Sequence, residues 1–318
     1  MKLYPLKFKP IFKETVWGGN RLKSLLHKNI SGDKKVGESW ELSAVRGNLS
    51  VVSNGYLKGN NIEELIEVYM GELVGEKVYE QFGNEFPLLI KFLDTTETLS
   101  LQVHPDDATA AERHHAFGKN EMWYIVAADA DAKIALGFGK DSNLGELLEH
   151  VEKNTLHEIL NLENVKAGDT FYVPAGTLHA IGKNITLAEI QQTSDITYRV
   201  YDWGRNEKNR PLHTDLAMDV IDYRAAKNHK VEVKDKSHLI ENKYFTTNLL
   251  NLSQAAERNL SEHDSFIIYV CTSGEAKITA GGQAEKIAAG ETLLIPAALS
   301  DVQVAPQGSV TLLEVYIK

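Results

Sequence analysis

The chain has 318 residues, 43% hydrophobic and 25% charged, which are ordinary proportions for a folded globular protein and enough length for two or three packed units. Its formal charge of −10 argues against general nucleic-acid binding, which uses a basic surface, yet leaves room for a local cationic cleft and an anionic small molecule. The single Cys271 excludes an internal disulfide framework and suits a reducing compartment. The N-terminus, broken by Pro5, Pro10 and lysines, has no apolar signal core, and no run approaches the roughly 20 apolar residues of a membrane helix. A cytoplasmic protein with no membrane partner is expected, its oligomeric state open.

Residues 1–60 read as short strands and turns. Trp17-Gly18-Gly19-Asn20 predicts a turn, Gly37–Ser43 a strand and Asn54-Gly55 a hairpin. From Asn61 to about Phe82, Ile62, Leu65, Ile66, Tyr69, Leu73 and Val78 recur at helical spacing with acidic residues between them. Phe86–Asp94 is an apolar run of strand length with Lys91 inside it, a position that suits an edge-strand charge or a snorkelling side chain.

In Leu99-Ser100-Leu101-Gln102-Val103-His104 aliphatic and polar residues alternate, so a strand puts Ser100, Gln102 and His104 on one face. Pro105–His115 predicts a short helix with proline in its first turn and His114 and His115 on its surface. Strand character resumes at Glu121–Val126 and Ala135–Gly139, and Leu144, Leu147, Leu148, Val151, Leu156 and Leu160 predict a helical insertion over about 141–160. Gly168-Asp169 turns the chain, Phe171–Val173 is a strand, and Pro174-Ala175-Gly176 makes a tight turn that delivers His179 onto the next strand. Leu187–Ile190 and Ile196–Trp203 are further strands carrying Glu189, Arg199 and Asp202, and Asp215–Ala226 suits a short helix. From about Lys230 the pattern is β again. There Gly290-x5-Pro296 repeats Gly168-x5-Pro174 but lacks the following glycine and histidine, with Leu299 and Ser300 near the ligand position. A second copy of one β unit, without metal donors, is expected.

Gly168-x5-Pro174-x-Gly176-x2-His179 resembles the second motif of the cupin barrels, except that Lys183 holds the place of their usual asparagine and Asn184 comes next. Their first motif, a close His-x-His followed by Glu, is matched here by Gln102-x-His104 and, after a helical insertion, Glu121. Gln102-x-His104-Pro105, Lys119-x-Glu121-x-Trp123-Tyr124 and Val173-Pro-Ala-Gly-x-x-His179-Ala180 together resemble the type I mannose-6-phosphate isomerases. So do Trp17-Gly-Gly, Gly37–Ser43, Phe86–Leu93 and Thr193-Ser-Asp-Ile-Thr-Tyr-Arg199. The resemblance runs in order over most of residues 10–210 and more loosely over the last third.

It implies a mainly β chain of two cupin, jelly-roll-like barrel units with a small helical insertion, residues 1–225 catalytic and 226–318 metal-free. It implies one Zn²⁺ per chain on Gln102, His104, Glu121 and His179, and interconversion of mannose 6-phosphate and fructose 6-phosphate. Lys119, Glu189 and Arg199 are the implied catalytic positions, with Trp17, Lys91 and Ser100 at the substrate.

The chemistry is coherent. Two imidazoles, one carboxylate and one neutral amide leave a bound Zn²⁺ net positive, as a Lewis acid for an enediolate requires. A base must carry the proton between adjacent carbons, with Glu189 the first candidate and Lys119 the second. Arg199 keeps its proton, so its part is electrostatic, unless it only pairs with Asp195 or Asp202. Lys91 and Lys119 add charge for the phosphate or for ring opening, and Arg205, Lys208 and Arg210 form a basic cluster that could equally face solvent. His104, Glu121 and His179 also match the facial triad of non-haem iron oxygenases, and the metal-free second unit also suits a non-catalytic sugar-binding cupin. Gln102 and the surrounding cations favour a sugar phosphate.

Overall fold

The computed structural model describes residues 2–205, 210–232 and 237–318, so Lys208 of the basic cluster lies outside the described residues. Eleven described strands precede residue 202: β1 (Ile11–Gly19), β2 (Val36–Leu42), β3 (Leu88–Asp94), β4 (Leu101–Val103), β5 (Glu121–Ala128), β6 (Lys133–Phe138), β7 (Leu160–Asn164), β8 (Thr170–Val173), β9 (His179–Ile181), β10 (Ile185–Gln192) and β11 (Tyr198–Tyr201). They form a six-stranded sheet, β1-β2-β3-β10-β5-β8, and a five-stranded sheet, β11-β4-β9-β6-β7. Trp17, Leu93, Trp123, Leu136, Phe171 and Ile181 pack together from the facing sides of the two sheets. The architecture is jelly-roll-like, and the sheets do not close into barrels.

Several local expectations are met for the expected reasons. Helices Ile62–Tyr69, Gly71–Val74 and Glu76–Phe82 occupy the periodic segment, and the first starts with a reciprocal cap between Asn61 and Glu64. Helix Asp107–His114 is capped by Asp106, so Pro105 precedes the helix instead of lying in its first turn. His114 and His115 are exposed. Asn184, one place beyond the expected asparagine, turns the chain between β9 and β10 at φ +60°, a conformation asparagine tolerates.

Other expectations change. Trp17-Gly18-Gly19 continues β1 instead of turning, because the two glycines let neighbouring chain approach. A Cβ on Gly18 would stand 2.6 Å from the Gly37 nitrogen, and one on Gly19 would overlap the Asp94 carboxylate. Asn54-Gly55 bends a loop that carries only isolated bridges, since the Asn54 side chain is spent tying Lys7, Pro5 and Glu285 together. The insertion at 141–160 is helix Leu144–Lys153 plus one 3₁₀ turn, Leu156–Glu158, and Leu160 already begins β7. The helix near Asp215 spans only Thr214–Met218.

The last part is one sheet of β12 (His238–Glu241), β13 (Thr246–Leu252), β14 (Ala256–Asn259), β15 (Ile267–Ala280), β16 (Gln283–Ala288), β17 (Thr292–Ile295) and β18 (Asp301–Tyr316). Gly281-Gly282, both left-handed, close the β15–β16 hairpin. Gly290 and Gly168 share a φ of +88°, and each stands two residues before a four-residue strand, so the repeated sequence folds alike. The N-terminal segment crosses between units, Leu6 exchanging backbone hydrogen bonds with Leu294 at 2.8 and 2.9 Å. Leu6, Phe92, Phe266 and Leu313 then share a single core cluster. No described helix is long and apolar enough to cross a membrane.

Backbone of residues 35–37 lies 2.6–3.0 Å from the missing Gly18 Cβ, so Gly18→Ala is expected to destabilise by about 1–3 kcal/mol. Urea unfolding should show a lower midpoint at unchanged slope; an unmoved midpoint would mean that β1 and β2 adjust freely.

Candidate metal centre and cleft

Register builds the site. In antiparallel sheets directly opposed residues share a face. In the five-stranded sheet, Arg199 opposes Gln102 and Gln102 opposes His179, one row across β11, β4 and β9. In the six-stranded sheet, Trp40, Lys91, Glu189 and Trp123 form a row across β2, β3, β10 and β5. Glu121 stands two residues before Trp123 on β5, hence on the same face.

His104, Glu121 and His179 converge with one donor atom from each lying within 4.8 Å of the others, all three about 1% exposed. His104 Nδ1 donates to the Ile196 carbonyl at 2.9 Å, and His179 Nδ1 donates to the Thr177 carbonyl at 2.8 Å. Both rings are thereby fixed as tautomers whose Nε2 lone pairs face the centre. His104 Nε2 lies 3.2 Å and His179 Nε2 3.8 Å from Glu121 oxygens, acceptor against acceptor. Gln102 Nε2 lies 3.3 Å from His179 Nε2, and an amide flip presents its oxygen at the same place. Lys119 Nζ reaches His104 Nε2 at 3.1 Å and Glu121 Oε1 at 2.9 Å, the latter off hydrogen-bond alignment, so both buried Glu121 oxygens lack a hydrogen-bond donor. Four acceptors pointed at one buried space suit a cation.

Burial, reinforced by Lys119, pushes the His104 imidazole down to about 3, and burial also lowers His179. Burial opposes ionisation of Glu121, but the Lys119 charge prevails and holds it well below its ordinary range. Burial disfavours the Lys91 ammonium, and Glu189 with Glu38 more than restores it, raising its pKa. Glu189 is raised by burial and by Glu121 against the pull of Lys91.

Beside the donors lies a cleft of about 150 Å³ lined by Trp17, Lys91, Ser100, Gln102, Lys119, Glu189 and Arg199, which brings the remaining expected site residues together. Lys91 is not on an edge: β3 is paired on both sides, and Lys91 is buried with Glu189 at 2.9 Å and Glu38 at 3.7 Å. Nor does Arg199 form an ion pair among the described residues. It donates to the Pro211 carbonyl at 3.0 Å while its buried Nε has no partner, and Asp202 is taken by Arg205 and Arg210. Glu38, Trp40, Asp195 and Arg210 also line the cleft, beyond the residues expected there from the sequence. Alternation along Gly37–Ser43 puts Glu38 and Trp40 on one face, and Asp195 precedes Arg199 by four residues within Thr193–Arg199. Those were the available signals.

In metal-free protein the buried His104 imidazole stays neutral where the unfolded chain, with pKa near 6.5, binds a proton, and burial shifts His179 in the same direction. Stability therefore falls as pH drops through 6.5, by up to about 1.4 kcal/mol per pH unit from His104, with His179 adding in the same direction. Glu121, ionised in both states between about pH 6 and 7, adds no slope there and a slope of the same sign only below it, as the unfolded glutamate begins to take up protons. Thermal melting of chelator-treated protein should show a declining midpoint across that window; a flat one would mean that the histidines protonate in place.

Sequence models of known families match both parts of the chain, "Phosphomannose isomerase type I, catalytic domain" at residues 5–137 and "Mannose-6-phosphate isomerase, cupin domain" at residues 234–317. The mannose-6-phosphate isomerase ManA of Bacillus subtilis is 36% identical over 95% of this chain and 96% of its own. A mannose-6-phosphate isomerase of Streptococcus mutans is 34% identical over 92% of each. The crystal structure of a mannose 6-phosphate isomerase from Bacillus subtilis superposes with a TM-score of 0.87 at 31% identity, covering 99% of this chain and all of the other. With relatives alike from end to end, and the two sequence models matching in order, the chain belongs to the type I mannose-6-phosphate isomerase family.

Proposed function

We propose that this cleft interconverts mannose 6-phosphate and fructose 6-phosphate through an enediolate, with one Zn²⁺ held by Gln102, His104, Glu121 and His179. The observation that carries the reading is the buried convergence of two tautomer-fixed imidazoles on a carboxylate whose oxygens lack hydrogen-bond donors. When bound, the ion supplies Lewis-acid polarisation to the reacting sugar oxygens. Residues 1–225 form the catalytic unit in this reading. Residues 226–318 are its metal-free companion, the described residues holding no second grouping of His, Cys, Asp and Glu of this kind.

The chain's own groups divide the remaining work. Arg199 extends the row of Gln102 and His179 with no carboxylate partner among the described residues, and its guanidinium meets the anionic substrate and the developing enediolate charge. Both Glu189 oxygens are engaged, one by the Trp123 indole and one by Lys91, each at 2.9 Å. Lys119 is the amine that reaches the donor set; as the free amine its Nζ takes the proton from C2 of the open-chain aldose, and as the resulting ammonium it returns that proton to C1. Ser100 offers a hydroxyl to the sugar, and Trp17 walls the cleft against water.

Chelation should abolish activity, and Zn²⁺ should restore it. His179→Ala is expected to lose metal and turnover together; an active variant with full metal occupancy would contradict the ligand set. Arg199→Ala should keep its metal while kcat/KM falls about 10²–10³-fold, and Lys119→Met should lose about 10²–10⁴ in kcat. Metal analysis beside a coupled isomerase assay reads all three. Unchanged turnover in Lys119→Met would remove Lys119 from proton transfer.

A further inference from the structure

The two units repeat more than a glycine turn. In the first, Lys91, Glu189, Trp123 and Phe171 stand in one row across β3, β10, β5 and β8. In the second, Asn248, Glu314, Tyr269 and Leu293 stand in one row across β13, β18, β15 and β17. The alignment is fixed independently by the shared turn, since Phe171 follows Gly168 and Leu293 follows Gly290 by three residues. Glu314 is thus the counterpart of Glu189, Tyr269 of Trp123 and Asn248 of Lys91.

Contacts repeat with the register. The Trp123 indole donates to Glu189 Oε1 at 2.9 Å, and the Tyr269 hydroxyl donates to Glu314 Oε2 at 3.0 Å. Lys91 donates to Glu189 Oε2 at 2.9 Å, and Asn248 donates to Glu314 Oε1 at 3.2 Å. Glu314 also receives the Arg258 guanidinium through both oxygens, at 2.6 and 3.1 Å. Ile267 occupies the register place of Glu121, and Glu314 is fully buried, so this glutamate persists where the metal donors do not.

We infer that Glu189 is a positioning residue: together with Trp123 it fixes the Lys91 ammonium in the cleft, and it does not carry the proton. An ammonium has three donors. Glu189 takes one and Glu38, 3.7 Å away, faces a second, which aims the third at the substrate beside Trp40. The assignment rests on the sugar-phosphate reading of this cleft.

Steady-state kinetics of Glu189→Gln test it. The expected result is a KM for mannose 6-phosphate raised about 10-fold, kcat within about 3-fold of wild type, and an unshifted kcat–pH profile. A kcat loss beyond about 100-fold at unchanged KM, with the acidic limb gone, would make Glu189 the proton carrier and overturn the inference. Should Glu189→Gln fold poorly beside a free Lys91 charge, the double variant Lys91→Met with Glu189→Gln removes both charges together. It should retain kcat within about 10-fold, whereas a proton carrier's loss would persist in it. Glu314→Gln should lower the melting temperature and leave kcat and KM alone; changed kinetics there would deny that the row is a frame common to both units. Incorporation of solvent deuterium at C2 by the wild-type chain separately tests the enediolate, and its absence would sink that reading while the KM–kcat comparison still decides the role of Glu189.

Discussion

The pairing of Gln102 with His179 across β4 and β9 is the constraint on which the site depends. Side chains alternate along a strand, so a slip of one residue would turn Gln102 and His104 away from the donor centre and bring Leu101 and Val103 into it. The opposite face resists that slip. Leu101 and Val103 are fully buried with Phe138, Leu178 and Tyr198 in an apolar cluster on the far side of the sheet. Fully burying such side chains contributes about 1.5–3 kcal/mol each, and a slipped register would forfeit that while burying two polar groups without partners. The apolar side of β4 therefore places Gln102 and His104 together on its polar side.

Electrostatics complete what register begins. Lys91, Lys119, Glu121 and Glu189 are all nearly inaccessible to solvent, and each would be costly alone. Neutralising contacts join Lys91 to Glu189 and Lys119 to Glu121. A buried pair is weak evidence for stability, since apolar residues of similar volume often do as well. The two pairs differ in kind. Glu189 has a donor for each oxygen, while Glu121 has none and shares its space with two imidazole lone pairs. One carboxylate is satisfied by two donors, and the other has no aligned donor among the described residues.

Much of this was legible in the sequence because it follows from local rules. Alternation at Ser100, Gln102 and His104 shows which residues share a face, and the Gly168–Pro174–Gly176 run shows where His179 emerges. What alternation leaves open is which strand lies beside which. Lys91 read as an edge or snorkelling residue because nothing local says that β3 lies between β2 and β10, with a carboxylate on each neighbour. Arg199 could not be told from an ion-pair residue, since the competition of Arg205 and Arg210 for Asp202 is a matter of tertiary placement. Gly18 and Gly19 read as a turn because close approach of strands and a tight turn both select glycine. Glu38 has no local signal for the same reason as Lys91: the sequence shows its face and not what faces it.

The second unit separates frame from chemistry within one chain. It keeps the left-handed glycine, the four-residue strand after it and the row from Asn248 to Leu293, while Ile267 stands at the register place of Glu121. A frame retained without its donors must satisfy itself. Arg258 brings Glu314 the charge that Lys91 brings Glu189, and its side chain still reaches solvent whereas Lys91 is sealed at the cleft. A buried carboxylate thus needs a cation in either unit, and only the path by which that cation arrives differs. In the first unit the cation stands directly opposite Glu189 on β3 and lines the cleft, so one ion pair both completes the sheet and faces the cleft.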